Sequence, residues 1–389
     1  MTMLRNKAAI SGIGATEFSK NSGRSELRLA VEAISAALKD AGLKAADVDG
    51  LVTYTMDANA ENEVLRSMGG RDLNYFGRVH YGGGGACAIL LQAAMAIATG
   101  VCKTVVCYRA MNERSESRFG GAIGFGGISS EAVLTAFHTV HGLQTAAAMM
   151  AMTMRRYMHD TGATSEDFAR ISINARFHAA SNPKAYFYGK PITLEDHQTS
   201  RMICDPLRLL DCCQESDGAV AIVVTSAERA RDLKGKPVLI RAAAQGATAG
   251  TMQMTSFYRG NIAPLEEASL VARQLYEMSG LGPSDMDAAI LYDHFGPAVL
   301  PQLEAYGFCA PGEAKDFIKD GRIAVGGALP VNTHGGQLGE AYINGVNGIT
   351  EAVRQLRGEA VNQVAGVRNM LVTAGNGLPT SGAILGAPP

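Results

Sequence analysis

Apolar residues recur along this chain in two rhythms. From Ala8 to Ile13 they run almost unbroken between a lysine and a glycine, as in a strand buried on both faces. From Glu26 to Ala41 they fall at Leu27, Ala30, Ile34 and Leu38, the spacing of one helix face. Gly42 stands where a left-handed C-cap would close that helix. After the acidic turn Asp47-Val48-Asp49, a second strand is predicted from Gly50 to Tyr54. Strand, helix and strand in this order predict an α/β layered architecture.

The same order returns late in the chain. Pro237 to Ala244 reads as a strand and Leu265 to Met278 as a helix, and Gly280-Leu281 with Asp285-Met286-Asp287 leads into a strand from Ala288 to Tyr292. Set beside Gly42-Leu43, Asp47-Val48-Asp49 and Gly50 to Tyr54, this match runs without a gap and pairs Tyr54 with Tyr292. Gly82 to Gly100, then Thr104 to Tyr108, parallels Gly339 to Gly358, then Asn369 to Thr373. Two copies are too few for a solenoid, so they predict a duplicated domain. The charged segment Glu228 to Lys236 divides residues 1–235 from residues 236–389. The first half carries an insertion, about 111–205, in which Gly120 to Gly127 reads as flexible and Thr145 to Met158 and Ser165 to Ala180 as helical. Such an insertion suits a lid, an interface or a packing excursion.

Composition narrows the function. At 389 residues with 47% hydrophobic content, the chain can build two cores. A net charge of -2 gives no electrostatic case for nucleic acid or an anionic membrane. No signal-peptide pattern opens the chain and no apolar run approaches the ~20 residues of a membrane span, so a cytoplasmic protein is expected. The seven cysteines are odd in number and lack paired metal spacing; reduced, buried thiols follow.

Chemistry concentrates at Asn332 to Gly348, NTHGGQLGEAYINGVNG, ahead of the amphipathic run ITEAVRQLRG. Glycines bracket a turn that presents Tyr342 where a helix is predicted to begin, a setting that favours negative charge. This segment, with GIGATEF near the start, the duplicated halves and Leu209 to Val224, resembles the sterol-carrier-protein-X branch of the thiolase-like family. The resemblance implies an α/β, five-layered αβαβα fold made of two duplicated halves, and a homodimer core. Within the family the sequence is most similar to aldolases that cleave steroid side chains as CoA thioesters. That further implies an acyl-CoA substrate, no cofactor beyond the CoA it carries, and a DUF35-type OB-fold partner protein in a hetero-oligomer.

Four positions separate thiolase from aldolase. A thiolase needs a cysteine thiolate at a helix N-terminus. Counting back from Gly100 puts that place at Gly83 or Gly84, with Cys87 about one turn inside the helix. The second thiolase cysteine is missing from Val372-Thr373-Ala374-Gly375-Asn376-Gly377. Tyr342 replaces the histidine of Gly-His-Pro, and Tyr292, in Tyr292-Asp293-His294-Phe295, replaces the thiolase Asn or His. Paired tyrosines here resemble the acid and base of the aldolase branch, with Tyr292 accepting the substrate hydroxyl proton and Tyr342 supplying the enolate. Retro-aldol cleavage needs proton transfer and oxyanion donors but no acyl-enzyme. An ordinary phenol, with pKa ~10, is an acid by default and a base only when its pKa is lowered.

Read only as residue types, both tyrosines also suit a core with a satisfied hydroxyl. His294 and His334 are candidates to orient the tyrosines or bind the enolate oxygen, Asp293 to fix His294 or cap the strand, and Gly83, Gly84 and Cys87 to line the substrate. His138 and His141 share a helical spacing without a third ligand, so no metal is expected. Gly82 to Gly85 fits neither a phosphate-binding nor a dinucleotide-binding loop. Met149 to Met154 suits either an adaptable apolar pocket or a helix core. Two other readings stay open: a thiolase or acyltransferase using Cys87, and a non-catalytic acyl-CoA-binding or scaffold subunit.

Overall fold

The computed structural model describes residues 4–388 apart from Met56, Tyr81, Ser117, Phe137 and the stretch 119–135. The run Gly120 to Gly127 therefore lies outside the described residues. Nine strands form one mixed sheet: β1 (Ala8–Ala15), β2 (Gly50–Tyr54), β3 (Tyr75–Val79), β4 (Thr104–Asn112), β5 (Asp217–Ser226), β6 (Val238–Gly246), β7 (Ala288–Ile290), β8 (Asn369–Ala374) and β9 (Thr380–Gly386). Their spatial order is β3-β2-β4-β5-β1-β6-β9-β8-β7.

That order contains the repeat. In the first half β2 pairs in parallel with β4, then β5 and β1 follow antiparallel. In the second half β7 pairs in parallel with β8, then β9 and β6 follow antiparallel. Even the edge strand β3, parallel to β2, has a remnant in the parallel bridge from Ala289 to Val331. The halves meet at a short seam where Ala9 and Ile10 pair with Leu239 and Val238.

Helices complete five layers. The outer helix α1 (Glu26–Ala41) is capped by the Ser25 side chain and by Gly42 in the left-handed region. It buries Leu29, Ile34 and Leu38 against Leu51, Val106 and Val223 of the first half-sheet. Two inner helices, α2 (Ala88–Ala98) and α6 (Val346–Arg357), lie in one core with inward residues of both half-sheets, from Val105 and Ile222 to Ile290 and Val372. On the far side α5 (Glu266–Ser279) sets Val271 and Leu275 against Leu371 and Ile384. Each such side chain, fully buried, stabilises the fold by roughly 1.5–3 kcal/mol.

The pattern of α6 promises one solvent-facing stripe, yet its polar side is buried too. Glu351, Gln355 and Arg357 are all less than a tenth exposed. A network satisfies them: the Thr333 hydroxyl donates to Glu351 at 2.7 Å, the Gln355 amide donates to the Asn362 carbonyl at 2.7 Å, and Arg357 pairs with Asp40 of α1 at 2.7 Å. A central helix can keep polar residues only when each finds such a partner.

The insertion packs against the second half. Its helices α3 (Ala146–Thr161) and α4 (Ser165–Ser181) place Met150, Met154, Tyr157 and Phe168 among Phe295, Val299 and Leu303. Met149, Met150 and Met154 are thus core, while Met152 faces a surface cleft beside Leu143, Ala148 and Arg155. His138 stacks on Phe257 at 5.1 Å. The end of α4 braces the Asn332 to Glu340 segment: Asn182 donates to the His334 carbonyl at 3.0 Å, and the Tyr186 amide donates to the Glu340 carbonyl at 2.9 Å.

Candidate active site

Tyr292 follows β7 directly, and its backbone is fixed on both sides by one residue. Its N–H donates to Gln302 Oε1 at 3.1 Å and to Thr373 Oγ1 at 2.9 Å, and its carbonyl accepts from Gln302 Nε2 at 2.8 Å. Tyr342 comes from the loop before α6, where its N–H donates to Ser216 Oγ at 3.1 Å. The two phenol oxygens lie 3.3 Å apart. Tyr292 is buried at 4% exposure while Tyr342 is half-buried, so the pair meets the open side of the site through Tyr342.

A buried chain of polar groups holds the second tyrosine. Asn344 Nδ2 donates to Tyr342 Oη at 2.8 Å, and Arg109 Nε donates to Asn344 Oδ1 at 3.1 Å. Arg109, wholly buried, also donates to the Tyr54 carbonyl at 3.1 Å and lies 3.9 Å from Asp57. The Tyr54 hydroxyl in turn donates to the Asn344 carbonyl at 3.1 Å. Asn344 sits at φ 47, a left-handed conformation that asparagine tolerates better than most residues. The turn continues through Gly345 at φ 87, where a Cβ would lie 2.9 Å from the Tyr292 ring.

Tyr292 in turn fills the space beside Gly83. A Cβ at Gly83 would lie 1.8 Å from Tyr292 Oη, so the phenol takes the room in which a side chain at that position would point. Gly84 faces elsewhere: its Cβ would strike the Pro379 carbonyl at 1.8 Å. The absence of a side chain there lets the two backbones pack together. Cys87 lies deeper in the same segment. It is fully buried one turn beyond Gly83, its thiol donates to the Val372 carbonyl at 3.6 Å, and burial pushes that thiol far above its ordinary pKa. That burial disfavours the thiolate.

The helix expected to begin at Tyr342 begins at Val346 instead. Burial raises both phenols well above the ordinary value, so no helix terminus favours a Tyr342 phenolate. Within the pair, donation from Tyr342 and Asn344 works against burial at Tyr292, whereas the contact with Tyr292 raises Tyr342 further.

His294 stacks against Tyr292 with centroids 4.7 Å apart, and neither ring nitrogen has a hydrogen-bond partner among the described residues. Burial lowers its pKa to about 3, leaving a neutral imidazole with one free N–H. His334 is also held neutral by burial, with a pKa lowered to about 4, and lies 3.9 Å from Glu340. Asp293, raised by burial to about 6, accepts from the Gln337 amide at 2.9 Å and so fixes the Gly335-Gly336 turn. Tyr292, Asp293, His334 and Gln337 line one small cavity behind the pair. Among the described residues no group of three or more His, Cys, Asp or Glu could hold a metal ion, and no helix is long and apolar enough to cross a membrane.

Sequence reasoning missed Asn344, Arg109, Tyr54, Gln302 and Ser216. Two of them carried a signal: Asn344-Gly345 is a turn dipeptide, and Arg109 interrupts an apolar strand, where a charge must find buried partners.

Residues 248–385 match the family model for the thiolase C-terminal domain-like group. The chain is 63% identical over 386 residues, 99% of its length and 100% of the relative's, to the 17-hydroxy-3-oxo-4-pregnene-20-carboxyl-CoA lyase of Mycobacterium tuberculosis. It is 61% identical over 391 residues, covering 100% of both chains, to the steroid side-chain-cleaving aldolase of Thermomonospora curvata. A solved structure of an Ltp2–ChsH2(DUF35) aldolase superposes with a TM-score of 0.95 at 60% identity, over 99% of each chain. By this full-length likeness the chain belongs to the thiolase-like family, in the branch of the steroid side-chain-cleaving aldolases.

Proposed function

We propose that this chain is a carbon–carbon lyase that cleaves a 17-hydroxy steroid side-chain CoA thioester by a retro-aldol reaction, giving a 17-ketone and propionyl-CoA. The observation that carries the reading is the 3.3 Å contact between the Tyr292 and Tyr342 hydroxyls. Tyr292, itself protonated, takes the proton of the substrate hydroxyl only as it passes its own to Tyr342, while the bond to the α-carbon breaks and its electrons pass to the thioester. Tyr342 protonates the α-carbon, and Tyr292 returns a proton to Tyr342 across the contact. With both phenols raised by burial, a concerted relay suits the pair, since neither oxygen then holds a full charge for long. The free N–H of neutral His294 is suited to the enolate oxygen, and His334 and Asp293 hold the turns behind it.

The reaction needs no free CoA and no cofactor. The fully buried Cys87 thiol disfavours the acyltransferase alternative. The same reading takes a cytoplasmic location, a DUF35-type partner, as in the solved aldolase complex, and a homodimer core. For the last, strand β3 pairs only with β2 among the described residues and exposes 65% of Phe76, an edge that a second copy would cover.

The test is mass-spectrometric product analysis on 17-hydroxy-3-oxo-4-pregnene-20-carboxyl-CoA, with the chain alone and with a DUF35-type partner. Propionyl-CoA and the 17-ketone are expected without added CoA. Tyr292→Phe and Tyr342→Phe should each lower kcat by about 10²–10⁴ while circular dichroism stays unchanged. A requirement for free CoA, or wild-type turnover in both variants, would overturn the reading.

A further inference from the structure

The buried row from Arg109 through Asn344 to Tyr342 has a sense as well as a position. Arg109 lies within β4, and its guanidinium has five N–H donors and no acceptor. Its Nε donates to Asn344 Oδ1 at 3.1 Å and its Nη1 to the Tyr54 carbonyl at 3.1 Å. The guanidinium carbon lies 5.0 Å from the centre of the Tyr54 ring, and Nη1 lies 3.9 Å from Asp57, whose carboxylate the Ala110 amide holds at 3.0 Å. Arg109, Tyr54, Asp57 and Asn344 are all buried, so this end of the row is rigid.

The fixed sense passes down the row. A primary amide accepts at its oxygen and donates at its nitrogen, and by shape alone either end could face Tyr342. Against a donor-only guanidinium the oxygen must face Arg109, because the opposite placement would set two buried donors against each other. The nitrogen is left for Tyr342 Oη, at 2.8 Å. It also lies 3.4 Å from the point where a Gly83 Cβ would stand, the point that Tyr292 Oη crowds at 1.8 Å. The donor end of the amide thus faces the tyrosine pair.

We infer that Arg109 sets the direction of the proton relay, on the retro-aldol reading above. By holding Asn344 as a donor to Tyr342, it keeps the Tyr342 proton free for the α-carbon and leaves Tyr342 able to accept from Tyr292 across the 3.3 Å contact. With the amide reversed, Tyr342 would donate to Asn344 Oδ1, and its proton would be withheld from carbon. Arg109 is a positioning residue, two hydrogen bonds removed from the reacting oxygen.

Neutron diffraction from crystals exchanged into heavy water tests this arrangement without turnover. One deuteron on the Asn344 nitrogen should point at Tyr342 Oη, and the Tyr342 deuteron should point away from Asn344. An amide oxygen facing Tyr342, or a Tyr342 deuteron directed at Asn344, overturns the inference. Propionyl-CoA release tests the consequence. Asn344→Asp keeps the shape, the tolerance of φ 47 and an acceptor for Arg109, yet turns an acceptor toward Tyr342. Its kcat should fall by about 10² or more with KM little changed. Asn344→Gly, unstrained at that φ and without an acceptor there, should retain more. An Asn344→Asp enzyme as active as Asn344→Gly would make the side chain a prop for the turn and overturn the inference. Arg109→Lys, still donor-only, should keep a larger share of kcat than Arg109→Gln, which can turn either end of its amide to Asn344; the reverse order also overturns it. If the wild type cleaves no steroid thioester, the retro-aldol reading falls, and the nuclear density alone decides the sense of the row.

Discussion

Gly83→Ala should damage the chemistry without touching either tyrosine. The added Cβ would lie 1.8 Å from Tyr292 Oη, whereas ordinary contact begins at 3.4 Å. The phenol must withdraw by about 1.6 Å, the difference of those two distances, or the turn must move by as much. Gly83 is packed in the turn that opens α2, so the phenol is expected to give way, and its hydroxyl then leaves the position that makes the 3.3 Å contact with Tyr342. A misplacement of about 1 Å costs about 10²-fold in rate, so kcat should fall by at least that factor. Overpacking of this kind also costs about 1–3 kcal/mol of stability. The assay is propionyl-CoA release under saturating substrate, with urea unfolding run in parallel. Gly84→Ala is the control, because its Cβ meets the Pro379 backbone: it should lower stability by more than Gly83→Ala does. A Gly83→Ala enzyme with wild-type kcat would falsify the packing argument and the relay that depends on it.

Two further outcomes follow from the described geometry. Cys87→Ala should keep kcat within about twofold and lose about 1–2 kcal/mol in urea unfolding, since a buried, unionised thiol is only packing; loss of turnover in a stably folded variant would return Cys87 to the chemistry. His294, held at about 3 in the fold against 6.5 when free, contributes stability that is present above pH 6.5 and is lost as pH falls toward 3, because the unfolded chain takes up the proton first. Between pH 6 and 4 the wild type should therefore lose about 1.4 kcal/mol more per pH unit than His294→Gln, and parallel urea midpoints in the two proteins would contradict a buried neutral imidazole.

Much of the fold was legible because repetition is a linear signal. The matched spacing from Gly42 and Gly280 reappears as one strand order written twice, and α1 and α5 begin and end within a residue of the predicted limits or at them. Where sequence pattern failed, the reason was tertiary. The stripe on α6 is amphipathic in sequence, but Thr333, Asn362 and Asp40 come from distant segments to satisfy its polar side. The start of that helix was set four residues early, because Asn344 and Gly345 both take positive φ and delay it. The tyrosine positions came from resemblance to a family. The links from Arg109 through Asn344 span 235 residues of sequence, and no local spacing announces them.

The repeat matched Tyr54 with Tyr292, and the two copies have parted ways. Tyr292 brings its hydroxyl to its partner phenol, while Tyr54 spends its own on the Ile343 and Asn344 carbonyls that carry that partner. A duplicated ancestor with two equivalent rings would have divided their labour, one becoming tool and the other workbench. Substitution is then constrained unequally: at the tool every atom of the hydroxyl matters, while at the workbench any side chain that fills the space and donates once would serve.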